Sequence, residues 1–270
     1  ALGIKSRACL AEGDWDGAFK AAKRVIDEGG YAVGTKSDLT SGMNSLDKQN
    51  VMWGAGIQVA DQAGGYAGFF THMDNKEGAY AKSAPKLISK QLYNRISATD
   101  IRRDWWDPSD KESPYVSKKF SFANVASFLG DYIYMRVEEM YFTAAEAALR
   151  LDDLKSAREL MNTVMAERDP GYSANNRSGT LLGATTTTWT GSFLENILTH
   201  RRIELWGEYG RLFDVRRLGQ GIDRRTDECI SMMNRRNVNI TKADTYDWVL
   251  TIPKAELDAN PNINEEDQNP

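Results

Sequence analysis

The chain has 270 residues, 41% of them hydrophobic and 27% charged, which is ordinary for a globular protein and enough for one large core or two small ones. Its 34 Lys and Arg stand against 38 Asp and Glu, a net charge of −4, which argues against the basic face of a protein that tracks nucleic-acid phosphates. No run approaches the ~20 apolar residues of a membrane-spanning helix, no basic-then-apolar signal opens the chain, and Cys9 and Cys229 cannot form a disulfide framework.

In chain order, residues 1–30 read as a first helix pair. Trp15, Ala18, Phe19, Ala22, Val25 and Ile26 recur at helical spacing, Asp14 can cap the second helix, and Gly29 and Gly30 stop it. Residues 31–130 are rich in Gly, Ser, Asn and Asp and read as a loop-rich insertion, with one helical interval from Pro85 to Ser97 and a strand near Tyr115 to Phe122. An insertion this long is functional or disordered, and its Trp and Tyr content argues against disorder. Residues 131–220 hold a second helix pair and a further helix. Leu10, Asp14, Ala18 and Val25 superpose on Leu149, Asp153, Ala157 and Val164 at a constant offset of 139 residues. Small residues before each turn (Ala8 and Ala11; Ala144, Ala145, Ala147 and Ala148) allow close helix approach, as in tetratricopeptide pairs. Two units so far apart do not by themselves make a continuous solenoid. Residues 171–190 read as loop, Ser192 and Glu195 as a capping box that opens the next helix, and 221–270 as an irregular tail with one helix around Arg224 to Asn234. Pro253, Pro261 and Pro270 exclude a long helix there. The expected fold is a single all-α domain over 1–270, with tetratricopeptide-like helix pairs and long irregular loop insertions.

The segment from His200 to Gly219 places charge inside an apolar stripe. Leu194, Leu198, Leu205, Tyr209 and Leu212 share one helical face, and Arg201 and Glu208 fall within it. An unpaired buried charge would cost several kcal/mol, so both require opposite charges from neighbouring elements, and Arg136 is the candidate partner for Glu208. Glu208 with Arg211 and Arg211 with Asp214 are i, i+3 pairs suited to the same salt-bridge clasp. Structure explains these charges better than an acid/base site does.

This clasp, the earlier helix RVEEMYFTAAEAALR, the D-I-R-R segment at Asp100 to Arg103 and the Q-N-P finish together resemble the carboxy-terminal half of SusD/RagB proteins, surface glycan-binding lipoproteins of Gram-negative outer membranes. The chain departs from that pattern at His200, where the family usually reads Glu in an E-R-R triplet. The resemblance implies non-catalytic binding of oligosaccharide or polysaccharide and delivery to a SusC-like TonB-dependent transporter. It also implies a surface-exposed lipoprotein of the outer membrane, reaching the membrane only through a lipid anchor outside this chain, with a signal peptide, lipid-bearing Cys and amino-terminal half preceding these residues and some apolar helix faces left uncovered without them.

The candidate glycan-binding residues are aromatics of the insertion: Trp53, Tyr66, Phe69, Phe70, Trp105 and Trp106. A rigid aromatic face suits the C–H face of a sugar at little entropic cost. Arg102 and Asp104 beside the tryptophan pair would read hydroxyls, as would Asp107, Arg103, Asp74 and Asn75. Adjacent residues in extended chain point opposite ways, so one of Trp105 and Trp106 is expected outside. The structural alternative is that each aromatic plugs its own loop onto the core. Catalytic motifs are absent, His72 and His200 are the only histidines, and neither a metal nor another cofactor is implied. Two rivals stay open: a helical-repeat scaffold that binds protein or peptide between helices, and a glycoside hydrolase whose carboxylate pair the sequence does not single out.

Overall fold

The computed structural model describes residues 1–61, 67–175, 191–223, 239–240 and 250–268. The chain folds as a mostly α-helical stack from which the insertion projects. Helix α1 (Leu2–Glu12) ends at Gly13, and α2 (Trp15–Glu28) starts at once under Asp14, whose carboxylate accepts from the Gly17 N–H at 2.9 Å. Close approach within this pair comes from glycines. A Cβ on Gly17 would meet the Cys9 sulfur at 2.9 Å, and Gly3 serves in the same way outside the pair, where a Cβ would meet the sulfur of Met135 at 2.2 Å. Ala8 and Ala11, expected to serve this role, are exposed, because α1 turns its Gly3, Ser6, Cys9 and Leu10 face inward instead.

After α2 the chain enters the insertion through strand β1 (Val51–Ala55). Its regular structure is slight: single turns of helix at Lys36–Leu39, Phe69–Met73, Ala79–Ser83 and Lys90–Tyr93, 3-10 turns at Val59–Asp61 and Ile101–Trp105, and the two-residue strands β2 (Trp106–Asp107) and β3 (Val116–Ser117), which pair antiparallel. The helix expected over 85–97 therefore shrinks to one turn capped by Ser89, and the strand expected over 115–122 to two residues. Strand β4 (Tyr132–Arg136) leaves the insertion and pairs antiparallel with β1. The insertion's way in and way out are thus neighbours, and the helices they serve can meet.

Arg136 is both the last residue of β4 and the N-cap of α3 (Val137–Arg150), a largely buried helix, which is followed by α4 (Leu154–Ala166) under Asp153. Asp153 accepts from the Ser156 N–H at 3.0 Å, the same cap geometry as Asp14 139 positions earlier. Helix α2 packs directly on α3, so the two helix pairs form one continuous stack. Sequence separation misled here, because the paired strands β1 and β4 return the chain to where it left. The core between the pairs is Ala22, Val25, Ala144, Ala148, Met161 and Val164, with Phe193 and Ile197 from α5 (Phe193–Glu204) packed against α3.

The long clasp helix expected from the apolar stripe is two helices. Helix α5 stops at Glu204, a turn follows, and α6 runs over Arg211–Arg217. Gly207 and Gly210, at φ of 75° and 116°, adopt left-handed conformations that L side chains resist, and they break the helix there. Leu212, placed in the stripe by sequence, consequently lies 52% exposed on α6. Ser192 caps α5, but Glu195 accepts from the Gly191 N–H instead of closing the expected box on Ser192. In the tail, strands β5 (Ile222–Asp223) and β6 (Asn239–Ile240) pair antiparallel, and a six-residue helix spans Lys254–Ala259. The helix expected over 224–234, Cys229 and most of the 171–190 loop fall outside the described residues.

Candidate functional site

Two of the charges that the sequence placed in the clasp, Arg136 and Glu208, lie in a buried ionic network that ties the insertion to the stack. Glu204, at the end of α5, sits between three arginines. Its Oε1 accepts from Arg136 at 3.1 Å and Arg168 at 3.0 Å, and its Oε2 from Arg102 at 3.1 Å and Arg168 at 3.0 Å. Burial alone would raise this carboxyl's pKa, but Arg168, Arg136 and Arg102 outweigh it and hold Glu204 well below the usual carboxylate range. Glu208, in the turn after α5, takes a two-pronged contact from Arg136, with Nε to Oε2 and Nη2 to Oε1 both at 2.8 Å, and a third from the Lys119 ammonium. Lys119 comes from the insertion, is fully buried, and also donates to the Glu204 and Trp206 carbonyls. Burial drives its pKa down to about 8 against the pull of Glu208. Glu138 joins Arg168 at 2.8 Å and Arg136 at 3.0 Å, and Asp100 joins Arg102 at 2.6 Å. Four cations (Arg102, Lys119, Arg136, Arg168) thus face four carboxylates (Asp100, Glu138, Glu204, Glu208), and the network closes electrically neutral.

His200 lies at its margin. Arg102 Nη2 approaches the His200 Nδ1 at 2.8 Å, so the ring accepts there with its proton on Nε2. A carboxylate at this position, as in the family pattern, would face an arginine already satisfied by Asp100 and Glu204. Beside this network, Arg201 pairs with Asp214 at 3.0 Å and reaches Thr143, while Arg217 holds both Asp214 and Glu146. Arg211, expected to bridge Glu208 and Asp214, makes neither pair. The helix break separates it from Glu208, and Asp214 is taken instead by Arg217 and Arg201.

Several residues expected to meet a glycan belong to this interior. Arg102 is buried with all its charge engaged in the network. Trp105 and Trp106 are 2% and 1% exposed, so neither offers a face to a ligand. The alternation that should put one outside fails because Trp105 closes the 3-10 turn while Trp106 opens β2. The Trp105 indole donates to the Leu39 carbonyl at 2.8 Å and lies under Lys119, while Trp106 meets Trp206 edge to face. Phe70 is buried against Phe122 and Tyr132, at a spot where Gly130 alone leaves room for its ring. Asp74 is buried too, accepting from the backbone of Lys76, Glu77 and Phe122. Asp104 is exposed, but it shares the turn of the buried tryptophans and lines no part of the aromatic pocket described next. Tyr66 lies outside the described residues.

Trp53 and Phe69 stand elsewhere. Register shifts on both sides of Trp53 mark a bulge in β1, which re-aims its side chain, and the indole is 49% exposed. Its ring meets that of Tyr134, 42% exposed on β4, edge to face at 5.1 Å. The pair forms the solvent side of a pocket of about 410 Å³ whose inner walls are Phe69, Phe120, Tyr132, Ile133 and Met43. Its remaining boundary is Arg7 with the turn Gly207, Glu208 and Tyr209. Arg7 lies flat over the Tyr209 ring at 3.7 Å while donating to both Glu139 oxygens and to the Tyr134 carbonyl. Tyr209 in turn stacks on Phe213 at 5.0 Å, which extends the aromatic surface along α6. Glu208 therefore belongs at once to the ionic network and to the pocket wall. A second depression of about 740 Å³, near β2 and β3, has a mixed lining, with Asp107, Asp110, Ser113 and Lys118 beside Val116, Phe122 and Val125. Sequence reasoning missed Arg7, Tyr132, Tyr134 and Tyr209. The alternation of YIYMR was the available signal for a strand carrying two of them, overshadowed by the helix that starts at its end.

A stack of tetratricopeptide-like helix pairs, carrying a loop insertion clamped by buried charge and edged with half-exposed aromatics, defines a mostly α-helical fold of helical-repeat type. The SusD family profile matches residues 115–270, more than half of the chain, and the chain belongs to the SusD family. Its backbone is similar to a SusD-like carbohydrate-binding protein from Bacteroides vulgatus ATCC 8482 (24% identity, 97% of this chain and 58% of that one, TM-score 0.73). It is similar also to a SusD superfamily protein from Bacteroides thetaiotaomicron VPI-5482 (22%, 100% and 59%, 0.76) and to surface glycan-binding protein A from Bacteroides uniformis (17%, 99% and 60%, 0.64). The chain spans about three-fifths of the length of these relatives. A comparison with curated protein sequences found no match.

Proposed function

We propose that the chain carries the glycan-contacting surface of a cell-surface receptor, binding oligosaccharide without catalysis and passing it to a SusC-like TonB-dependent transporter of the outer membrane. Attachment is through a lipid that lies outside these residues. The half-exposed Trp53–Tyr134 pair carries the reading: two rigid rings, positioned by paired strands and open to solvent, are what a sugar's C–H face requires. Solved relatives described as carbohydrate-binding and glycan-binding support the ligand class. Stacking on an open surface gives affinities on the order of micromolar to millimolar.

Chemistry at the described carboxylates favours binding over hydrolysis. A glycosidase acid needs a raised pKa, whereas each described carboxylate with a shifted value, Asp38, Asp107, Asp153, Glu204, Glu208 and Asp214, is lowered. Core side chains fill the space between α2 and α3, which leaves no peptide groove there among the described residues. The test is calorimetric titration of the chain with a panel of soluble oligosaccharides, repeated for Trp53→Ala. Binding to one glycan class, weakened about tenfold or more by the substitution and without product formation, is expected. Saccharide binding that Trp53→Ala and Tyr134→Ala both leave unchanged would move the site elsewhere, and silence across the panel would end the reading.

A further inference from the structure

The pocket behind the Trp53–Tyr134 pair is the wrong kind of space for a bare sugar ring. Its inner walls are Met43, Phe69, Phe120 and Ile133, and the Tyr132 hydroxyl among them already accepts from the Phe69 N–H. The two charged residues at its boundary have their charges engaged. Glu208 has both oxygens bonded to Arg136 and Lys119, and Arg7 holds Glu139 and the Tyr134 carbonyl while its flat face covers Tyr209. A pyranose pressed into this space would strip water from a ring of hydroxyls and leave most of them without partners, a loss that apolar walls do not offset. An apolar group entering the same space loses nothing polar and removes its own surface from water.

Resting on the glycan-binding reading above, we propose that this pocket takes an apolar substituent carried by the bound glycan, an acyl or aromatic group, while the sugar rings lie across Trp53 and Tyr134. The pocket volume of about 410 Å³ accommodates a ring-sized group, and the rim stands where the sugar bearing that group would stack. Two ligand features are thus read by two adjoining surfaces, one flat and open, one concave and apolar.

The test is titration with the methyl and benzyl glycosides of glucose, galactose, mannose and xylose, with benzyl alcohol alone as competitor. The benzyl glycoside of the preferred sugar is expected to bind about tenfold more tightly than its methyl counterpart, and benzyl alcohol to compete with it. Ile133→Trp, which fills the pocket, brings the ratio between the two forms close to one. If that variant does not fold, the benzyl alcohol competition on the unmodified chain carries the result alone. Equal binding of methyl and benzyl forms would overturn this inference and leave the glycan reading standing. A preference that survives Ile133→Trp or ignores benzyl alcohol would also overturn it. Binding of benzyl alcohol with no binding of any glycoside would overturn both readings.

Discussion

Two regions of this molecule invert the usual distribution of polarity, in opposite directions. Around Glu204, charged side chains are removed from water: Arg102, Arg136, Arg168 and Glu138 have fully buried side chains. Some 70 residues and more away in sequence, Trp53 and Tyr134 keep large aromatic faces in water. The first inversion is tolerable because every charge has a partner and the signs cancel. The second is tolerable only because a modest apolar area is exposed, and an area left exposed at a rigid position is available to a ligand. Burial of charge therefore marks what holds the fold, and exposure of aromatic surface marks what the fold presents. Glu208 joins the two, anchored on one side by Arg136 and Lys119 and bounding the pocket on the other.

Substitutions that break this division should separate cleanly, from the largest effect downward. Glu204→Ala leaves three arginines without their common partner and should destabilise by about 5 kcal/mol, the upper end for breaking buried pairs, or prevent folding. Equilibrium urea unfolding measures it, and a loss below about 1 kcal/mol would mean the network is looser than its distances imply. Arg136→Ala should follow closely, at about 3–5 kcal/mol, without altering which glycan is preferred. Trp106→Ala empties a fully buried site and should cost about 3–5 kcal/mol while glycan affinity holds. Affinity lost in the folded variant would return Trp106 to the binding surface.

A pH experiment sharpens the same contrast. Lys119 is held near pKa 8 in the fold, whereas an unfolded lysine titrates near 10.4. Between these values the unfolded chain binds a proton that the native chain does not, so stability must rise with pH across that window. Relative to Lys119→Met, the unmodified chain should gain roughly 3 kcal/mol between pH 7 and pH 10.5. An unchanged difference in urea midpoint would show that Lys119 keeps its ordinary basicity. Trp53→Ala should show the smallest stability change, within about 1 kcal/mol, because half of the ring is already in water, yet it should have a large effect on glycan affinity.

Local signals predicted the stack well. Asp14 and Asp153, the alanine-rich faces and the helical spacing in α2 and α4 act over a turn or two of chain, and such signals survive folding. The pairing of Glu208 with Arg136 could also be guessed, because a charge in an apolar stripe demands a partner. The same reasoning applied to Glu138, Glu139 and Glu146 in VEEMYFTAAEAALR would have led to Arg168, Arg7 and Arg217. The insertion was far less legible. Whether Trp53 or Trp106 faces water depends on a bulge in one strand and on Trp206 arriving from a distant turn, neither of which has a local signature. Gly207 and Gly210 lay in plain view as breakers, but the continuity of the apolar stripe masked them.

The pairing of β1 with β4 has a consequence for how such proteins diversify. Residues 56–131 leave and rejoin the stack at adjacent points of one short ladder, so the closure of that long excursion is already set by the two strands. Doubling its length would cost only about 0.6 kcal/mol in chain entropy. The excursion is in effect a cartridge with two keyed prongs, Arg102 and Lys119, which plug into Glu204 and Glu208, and a buried seat in which Trp105 and Trp106 pack with Ile203. A chimera that keeps the ladder, those two side chains and the tryptophan seat can exchange its exposed loops while the helices beneath stay unaltered.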